Sequence, residues 1–123
     1  MQRNQLPHDH GQTMEHLEHM PDADKFSTAA ELFKLLGDSS RIRIFWLLCH
    51  CEECVINLSA MVRMSSPAVS HHLKLLRAMG LVVSRREGKE VYYQAANTEL
   101  SHQLHHMIEK MVEVTCPGNN KKE

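Results

Sequence analysis

The sequence predicts a mainly α-helical domain that carries one small β-hairpin. Apolar residues recur at helical spacing in successive segments between residues 26 and 114. Before the last of these segments, two short stretches rich in β-branched and aromatic residues flank Arg-Arg-Glu-Gly-Lys (85–89), which contains a turn glycine. A chain of 123 residues is the right size for one small domain, which we place at residues 25–116.

The two ends of the chain are predicted to lie outside this domain. Residues 1–24 are polar and offer too few apolar side chains to pack, so we expect a mobile, His-rich arm with at most a short helix near residues 13–20. Residues 117–123 are expected to form a loose tail. The histidines of the arm could extend a metal site, but a solvated arm is the favoured interpretation. They are His8, His10, His16 and His19.

The first two helices are predicted from their caps and apolar faces. Ser27 is the expected N-cap of the first helix, and Gly37 is expected to end it. Asp38 or Ser39 then caps a second helix that ends near the first cysteines. Two arginines of the second helix are expected to face solvent. They are Arg41 and Arg43.

The next two helices are predicted to be joined by a tight turn. A short third helix spans residues 55–61. Ser65 can cap the fourth helix, because its hydroxyl oxygen accepts a hydrogen bond from an otherwise unpaired amide, and Pro67 is tolerated in a first turn. That helix runs to about Met79, where Gly80 supplies the left-handed residue that commonly ends a helix.

A hairpin and a long helix complete the domain. The strands are predicted at residues 81–84 and 90–94, with Gly88 in the turn and the basic residues of 85–89 at the tip. The last helix is predicted over residues 98–114. Its apolar stripe is long for so small a domain, which favours burial against a second copy of the chain. The stripe consists of Leu100, Leu104, Met107, Ile108, Met111 and Val114.

The fourth helix and the hairpin together predict a DNA-binding surface. Residues 63–89 contain six basic residues and one acidic residue, although the formal net charge of the whole chain is −1. The second helix of a helix-turn-helix fits the major groove, so Ser70 and His71 can reach base edges while Lys74 and Arg77 meet phosphates. An ordinary helical hairpin with a solvated charged face is the alternative, but it does not explain the basic hairpin. The predicted DNA-binding residues are Ser65, Ser66, Ser70, His71, Lys74, Arg77, Arg85, Arg86 and Lys89.

Three segments, residues 32–44, 66–76 and 85–93, resemble the ArsR/SmtB family of winged helix-turn-helix repressors. The resemblance covers nearly all of residues 29–114. It implies a homodimer, paired through the first and last helices, that binds double-stranded operator DNA. It also implies release of the operator when a metal ion, a metalloid or an oxidised sulfur species binds.

Other classes fit the sequence less well. No apolar run approaches the roughly 20 residues of a membrane span, and the first residues lack the apolar core of a signal peptide, so we expect a cytoplasmic protein with no membrane partner. An enzyme is not expected, because a zinc hydrolase needs an open metal position beside a general base in a pocket. A metal-buffering module without DNA binding is a remoter alternative, since it has no use for a basic helix and hairpin.

A cysteine cluster is the first candidate for the switch. Cys49, Cys51 and Cys54 lie within six residues and are expected to be reduced, since nothing indicates secretion. Thiolates suit zinc, cadmium, lead, copper(I) or arsenite, so a thiophilic ion is predicted as inducer and no other cofactor is expected. Cysteines that only pack are the alternative. Against the metal-binding box of the family, Cys54 matches the first cysteine, whereas Ile56 and Asn57 replace the second cysteine and the aspartate.

Two other switches remain open. A thiol-based redox or persulfide-responsive repressor could join Cys49 and Cys116, because some family members link comparable cysteines through sulfur atoms. Potential metal ligands also recur every three or four residues on the last helix, which the family pairs antiparallel, so an inter-subunit metal site is possible; a solvated polar face is the alternative. These residues are His102, His105, His106 and Glu109. The positions of the family's best-known zinc ligands make a poor zinc site here: Asn97, Glu99, Lys110 and Glu113.

Overall fold

The structure is a computed structural model that describes residues 6–113. The chain divides into two compact units, residues 1–34 and 35–123. This division falls within a helix, ten residues after the predicted start of the domain. The predictions for Val114, for Cys116 and for the tail at 117–123 lie outside the described residues.

The first unit contains α1 (Thr13–Glu18) and nearly all of α2 (Ala23–Leu35). Helix α2 begins four residues before the predicted cap, so the assignment of Ser27 as N-cap is wrong and this residue lies inside the helix. Asp24 supplies the negative charge that favours a first turn. No residue of α2 is buried, and Phe33 keeps 66% of its surface exposed.

The second unit begins with three helices: α3 (Ser39–Leu48), α4 (Val55–Val62) and α5 (Ser66–Ala78). Two predicted caps are confirmed. An Asp38 side-chain oxygen accepts a hydrogen bond from the Arg41 amide at 3.0 Å, and the Ser65 hydroxyl accepts one from the Ala68 amide at 3.2 Å. Between α4 and α5, Arg63 adopts a left-handed conformation with φ of 58°, which makes the short turn of a helix-turn-helix.

The core lies where α3, α4 and α5 meet the hairpin and the last helix. Each helix contributes apolar residues at helical spacing, as the sequence predicts. Met79, where the sequence predicts that the fourth helix ends, is half-buried and forms the C-cap of α5. The buried apolar residues of the helices are Ile44, Phe45, Leu48, Leu58, Val62, Val69, Leu73, Leu76, Leu104 and Ile108.

The hairpin forms the wing, with antiparallel strands β1 (Val82–Glu87) and β2 (Glu90–Ala95). Its turn contains Gly88, as predicted; the loop has only two residues, and Gly88 adopts a φ of 65° in it. The strands are longer than expected, so the placement of Arg85 and Arg86 at the tip is wrong: both residues lie in β1, opposite Tyr92 and Val91. The ladder continues to the turn because each added pair satisfies backbone donors and acceptors.

The last helix, α6 (Glu99–Val112), is capped by Thr98, whose hydroxyl accepts a hydrogen bond from the Ser101 amide at 3.2 Å. The predicted apolar stripe divides into two parts. Leu104 and Ile108 are buried, whereas Leu100, Met107 and Met111 are exposed, the last of them to 75%. None of the helices within residues 6–113 is long and apolar enough to cross a membrane.

Candidate nucleic-acid interface and metal centre

The exposed face of α5 and the wing hold all nine predicted DNA-binding residues, and every one of them is exposed. Leu73 and Leu76 turn the opposite side of α5 into the core. Ser59 on α4 lies 3.1 Å from Ser66 on α5, between the two hydroxyl oxygens, so a hydrogen bond spans the helix-turn-helix. One face of α5 is therefore packed in the core, and its opposite, polar face is exposed to solvent.

A polar contact that the sequence did not reveal also positions α5. The Arg41 side chain on α3 donates a hydrogen bond from Nε to Nδ1 of the buried His72 at 3.2 Å, and another to the Leu35 carbonyl at 2.6 Å. The prediction that Arg41 faces solvent is therefore wrong, whereas Arg43 is exposed as expected. Burial lowers the pKa of His72, and the charge of Arg41 lowers it further, so the imidazole is held neutral and can accept the hydrogen bond.

The basic residues of the wing differ in how much of their charge is available. Arg85 makes a two-point contact with the Glu52 carboxylate at 2.6 and 2.9 Å, and it also contacts Glu87 at 2.6 Å. These carboxylates raise the pKa of Arg85, and they offset its positive charge. Within residues 6–113, no ion pair involves Arg86 or Lys89, nor Lys74 or Arg77 on α5. Those four residues therefore keep a positive charge that no carboxylate among the described residues offsets.

The three cysteines of the predicted metal cluster do not form a ligand group among the residues that the structure describes. Two backbone hydrogen bonds between Glu53 and Tyr93 pair the segment between Cys51 and Cys54 with strand β2. The Cys51 thiol donates to the Leu47 carbonyl at 3.3 Å. Burial raises the pKa of this thiol and Glu53 raises it further, which disfavours the thiolate that binds metals.

A different set of side chains meets between the end of α3 and the middle of α6. His50 and His105 lie 3.1 Å apart between their Nε2 atoms, and Glu109 Oε2 lies 3.2 Å from His105 Nε2 and 3.6 Å from His50 Nε2. Within the part of the chain that the structure describes, this is the group of three His, Cys, Asp or Glu side chains spaced to hold a metal ion. We call His50, His105 and Glu109 the His-Glu cluster.

The His-Glu cluster combines predictions that the sequence kept apart. His105 and Glu109 were assigned to an inter-subunit site with His102 and His106, but the latter two are exposed and outside the cluster. His50 lies between Cys49 and Cys51 in the sequence. Nothing in the sequence pairs it with α6, because the contact depends on how two helices cross. The predicted redox pair Cys49 and Cys116 stays a prediction, since Cys116 is not among the described residues.

The His-Glu cluster is partly shielded from solvent, with side chains between 12% and 22% exposed. Trp46 donates a hydrogen bond from its indole nitrogen to Glu109 Oε2 at 2.6 Å, and its ring lies 4.4 Å from the His50 ring between centroids. Burial lowers the pKa of His50, and the nearby His105 lowers it further, although Glu109 opposes both effects. His50 is therefore predominantly neutral near pH 7, and neutral imidazole is the form that binds metals.

Comparison with known proteins identifies the family. A family described as bacterial regulatory protein, arsR family, matches residues 38–84. An arsenic resistance transcriptional regulator of Pseudomonas putida is 36% identical over 95 residues, which cover 76% of this chain and 78% of the relative. The chain belongs to the ArsR family. That family consists of transcriptional regulators rather than enzymes, as expected from the sequence.

Two further ArsR-family likenesses support the same assignment. A transcriptional repressor SmtB homologue of Synechocystis is 42% identical over 77 residues, 63% of this chain; the chain spans only 58% of that relative's length. A solved structure from Mycobacterium bovis, described as a homodimeric winged helix-turn-helix DNA-binding domain, is 28% identical with a TM-score of 0.66 over 77% of this chain and 89% of that chain. The predicted winged helix-turn-helix fold is thus confirmed.

The segment that matches the ArsR family contains the helix-turn-helix of the fold. Residues 38–84 span α3, α4, α5 and the start of β1. They include the exposed face of α5 but stop before Arg85, Arg86 and Lys89. Of the His-Glu cluster, they include only His50.

Proposed function

We propose that this ArsR-family chain is a homodimeric transcriptional repressor that binds double-stranded operator DNA through α5 and the wing, and releases the DNA when a metal or metalloid ion binds. One observation carries the DNA-binding part of the proposal. On an exposed helix face and the adjoining wing, four cations stand without a carboxylate partner among the described residues, and hydroxyl and imidazole groups lie between them. Phosphates attract the cations, while short polar side chains can reach base edges.

Exposed apolar surface supports the homodimer. Helix α2 buries none of its residues, and α6 separately exposes Met107 and Met111. Apolar helix faces of this kind are commonly covered by a second copy of the chain. A two-fold dimer would present two copies of α5 to successive major grooves, and the similar structure from M. bovis is described as homodimeric.

A metal or metalloid ion is the class of inducer that the family relationship favours, since the P. putida relative is an arsenic resistance regulator. By population shift, the ion would stabilise a form of the dimer whose α5 helices no longer match the DNA. A coupling free energy of about 1–3 kcal/mol changes operator affinity by roughly 5–150-fold. A repressor acts on the chromosome, so we expect it in the cytoplasm.

Operator binding tests this function directly. A preferred duplex is first selected from a random library with the metal-free, full-length protein, and its affinity is then measured by fluorescence anisotropy at several salt concentrations. Lys74→Ala should weaken binding and reduce the salt slope by about two, because the dimer loses one phosphate contact from each subunit. Arg43→Ala, an exposed cation outside α5 and the wing, is the matched control and should change neither quantity.

Base reading is tested with the same assay. His71→Ala should change sequence preference, because this exposed imidazole lies early in α5. Equal weakening on every duplex would assign His71 to backbone contacts instead. Failure of the wild-type chain to bind any selected duplex would refute the proposed function.

A further inference from the structure

We propose that His50, His105 and Glu109 form a site for a first-row divalent ion of the zinc class, built within one chain and independent of Cys51 and Cys54. The assignment of this site as the inducer site rests on the proposed function, but metal binding itself does not.

The spacing of the three ligand atoms matches a metal coordination sphere. Tetrahedral zinc binds nitrogen and oxygen ligands at roughly 2.0–2.2 Å, which separates neighbouring ligand atoms by about 3.3 Å. The three separations in the His-Glu cluster are 3.1, 3.2 and 3.6 Å. An ion therefore fits between these atoms without a rearrangement of the backbone.

The donor atoms select the class of ion. Two imidazoles and one carboxylate suit zinc, cobalt(II) and nickel(II), whereas arsenite and copper(I) prefer thiolates. This ligand set differs from the thiol cluster that the sequence favours, and it predicts a different order of binding affinities among the ions. Zinc should bind far more tightly than arsenite.

The surroundings of the cluster hold its ligands in place. The Trp46 indole donates to the same Glu109 oxygen that faces both imidazoles, and ligating carboxylates are commonly oriented by such a hydrogen bond. The Trp46 ring also lies against His50. Trp46 is the only tryptophan in the chain, so its fluorescence reports on this site alone.

The position of the site connects it to DNA binding. His50 directly follows the C-cap of α3, while His105 and Glu109 belong to α6. The same α3 helix holds α5 through the hydrogen bond between Arg41 and His72. An ion that fixes the end of α3 against α6 therefore acts on the helix that positions the DNA-binding face.

Metal titration of the reduced, full-length protein tests the site. Cobalt(II) absorption, Trp46 emission and zinc competition with a chelator dye are followed together. We expect His105→Asn to weaken zinc binding by more than about 100-fold, beyond the roughly 10–100-fold typical of residues that only orient ligands. Trp46→Phe should weaken it by about 10-fold.

Matched variants separate this site from its neighbours. His106→Asn, which removes an exposed histidine next to the ligand on α6, should leave zinc affinity within about 3-fold of wild type. The double variant Cys51→Ser/Cys54→Ser should also retain the zinc affinity of wild type. Loss of binding in the thiol variant, or full affinity in His105→Asn, would overturn the proposal.

A measurement on the wild-type chain covers the case in which a variant fails to fold. Long-range proton–nitrogen NMR should show zinc shifting the Nε2 signals of His50 and His105. A response confined to other histidines would also refute the site.

Operator anisotropy then tests the regulatory role. Zinc should lower the operator affinity of wild type by roughly 5–150-fold and leave that of His105→Asn unchanged. Equal release of both proteins would show that a different site is the inducer site. Absence of operator binding by the metal-free protein would remove the proposed function while leaving the metal titrations valid.

Discussion

The DNA-binding face and the His-Glu cluster are built in opposite ways. The face comes from consecutive residues, 65–89, in which a capped helix runs directly into the wing. The cluster joins His50 to residues 55 and 59 positions further along the chain. The first is a local property of the sequence, whereas the second exists only once α3 and α6 have packed.

The two regions also differ in the solvent exposure of their charged and titratable side chains. On the DNA-binding face, exposed cations remain available to a partner, apart from Arg85, which is held by carboxylates. In the cluster, a carboxylate and two imidazoles are brought together and half-buried. A surface that must attract a polyanion keeps its charge in water, while a site for a small cation gathers its ligands away from water.

The largest expected effect comes from the part of α3 that both regions share. Phe45 is fully buried, so Phe45→Ala should lower the free energy of unfolding by about 3–5 kcal/mol. Urea denaturation measures this change, and both operator and zinc binding should fall with the folded population. Arg43→Ala, on the exposed side of the same helix, should stay within about 0.5 kcal/mol of wild type. A loss of only one activity in Phe45→Ala would show that the two regions do not depend on a common core.

The wing offers a comparison between two neighbouring arginines. Arg86→Ala should reduce the slope of operator affinity against salt by about two, one unit from each subunit of the dimer, because the side chain has no carboxylate partner among the described residues. Arg85→Ala should reduce it less, since Glu52 and Glu87 already offset that charge. Anisotropy over a range of salt concentrations measures both slopes.

Removing a carboxylate partner of Arg85 tests the same comparison in the opposite direction. Glu52→Gln removes one of its two carboxylate partners and should strengthen operator binding, by roughly 5-fold at low salt. The double variant Glu52→Gln/Arg85→Ala should lose this gain. If Glu52→Gln leaves affinity unchanged, the ion pair does not limit DNA binding.

Sequence reasoning succeeded where structure is encoded locally. The Asp38 and Ser65 caps, the left-handed Gly80 and the turn at Gly88 follow from short-range preferences, and each is observed. The wrong prediction of an N-cap at Ser27 has a physical cause. Ser27 has the chemistry of a cap, but the helix could begin earlier, and a residue type alone does not fix which of several possible first turns forms.

The candidate metal site was only half predictable. The spacing of His105 and Glu109 places them on one face of a helix, and sequence showed that much. The sequence did not point to His50 as their partner, because the thiols on either side of it are the better zinc ligands in isolation. Tertiary packing decides whether the thiols or His50 join the group of metal ligands. Glu53 pairs with Tyr93 and extends the cysteine segment, whereas the crossing of α3 and α6 brings His50 to the cluster.

Removal of one helix cap in each region should separate their functions at equal energetic cost. Ser65→Ala and Thr98→Ala each remove a hydrogen bond to a first-turn amide, so each should cost about 1 kcal/mol of unfolding free energy. Ser65→Ala should weaken operator binding and spare zinc affinity, whereas Thr98→Ala, on α6, should do the reverse. Equal effects of both variants on both ligands would mean that the regions respond only to global stability.

The smallest expected effect is a pH dependence of stability that arises from His72. Burial and then Arg41 lower its pKa below the ordinary value of 6.5; Asp38 opposes this shift and His71 adds to it. The unfolded chain therefore binds a proton more readily than the folded chain below about pH 6.5. Stability from this group is complete above that pH and is lost as the pH falls through the folded-state pKa.

Urea unfolding of the metal-free protein above and below pH 6.5 measures this dependence. His72→Gln keeps a hydrogen-bond acceptor for Arg41 but cannot titrate, so its stability should fall less on acidification than that of wild type. His106→Gln, an exposed histidine of α6, should retain the wild-type pH dependence. His50 contributes in the same direction because its pKa is also lowered, so His72→Gln should flatten the profile without abolishing the slope. An unchanged profile in His72→Gln would mean that Arg41 does not hold this imidazole neutral, and that α3 positions α5 by apolar packing alone.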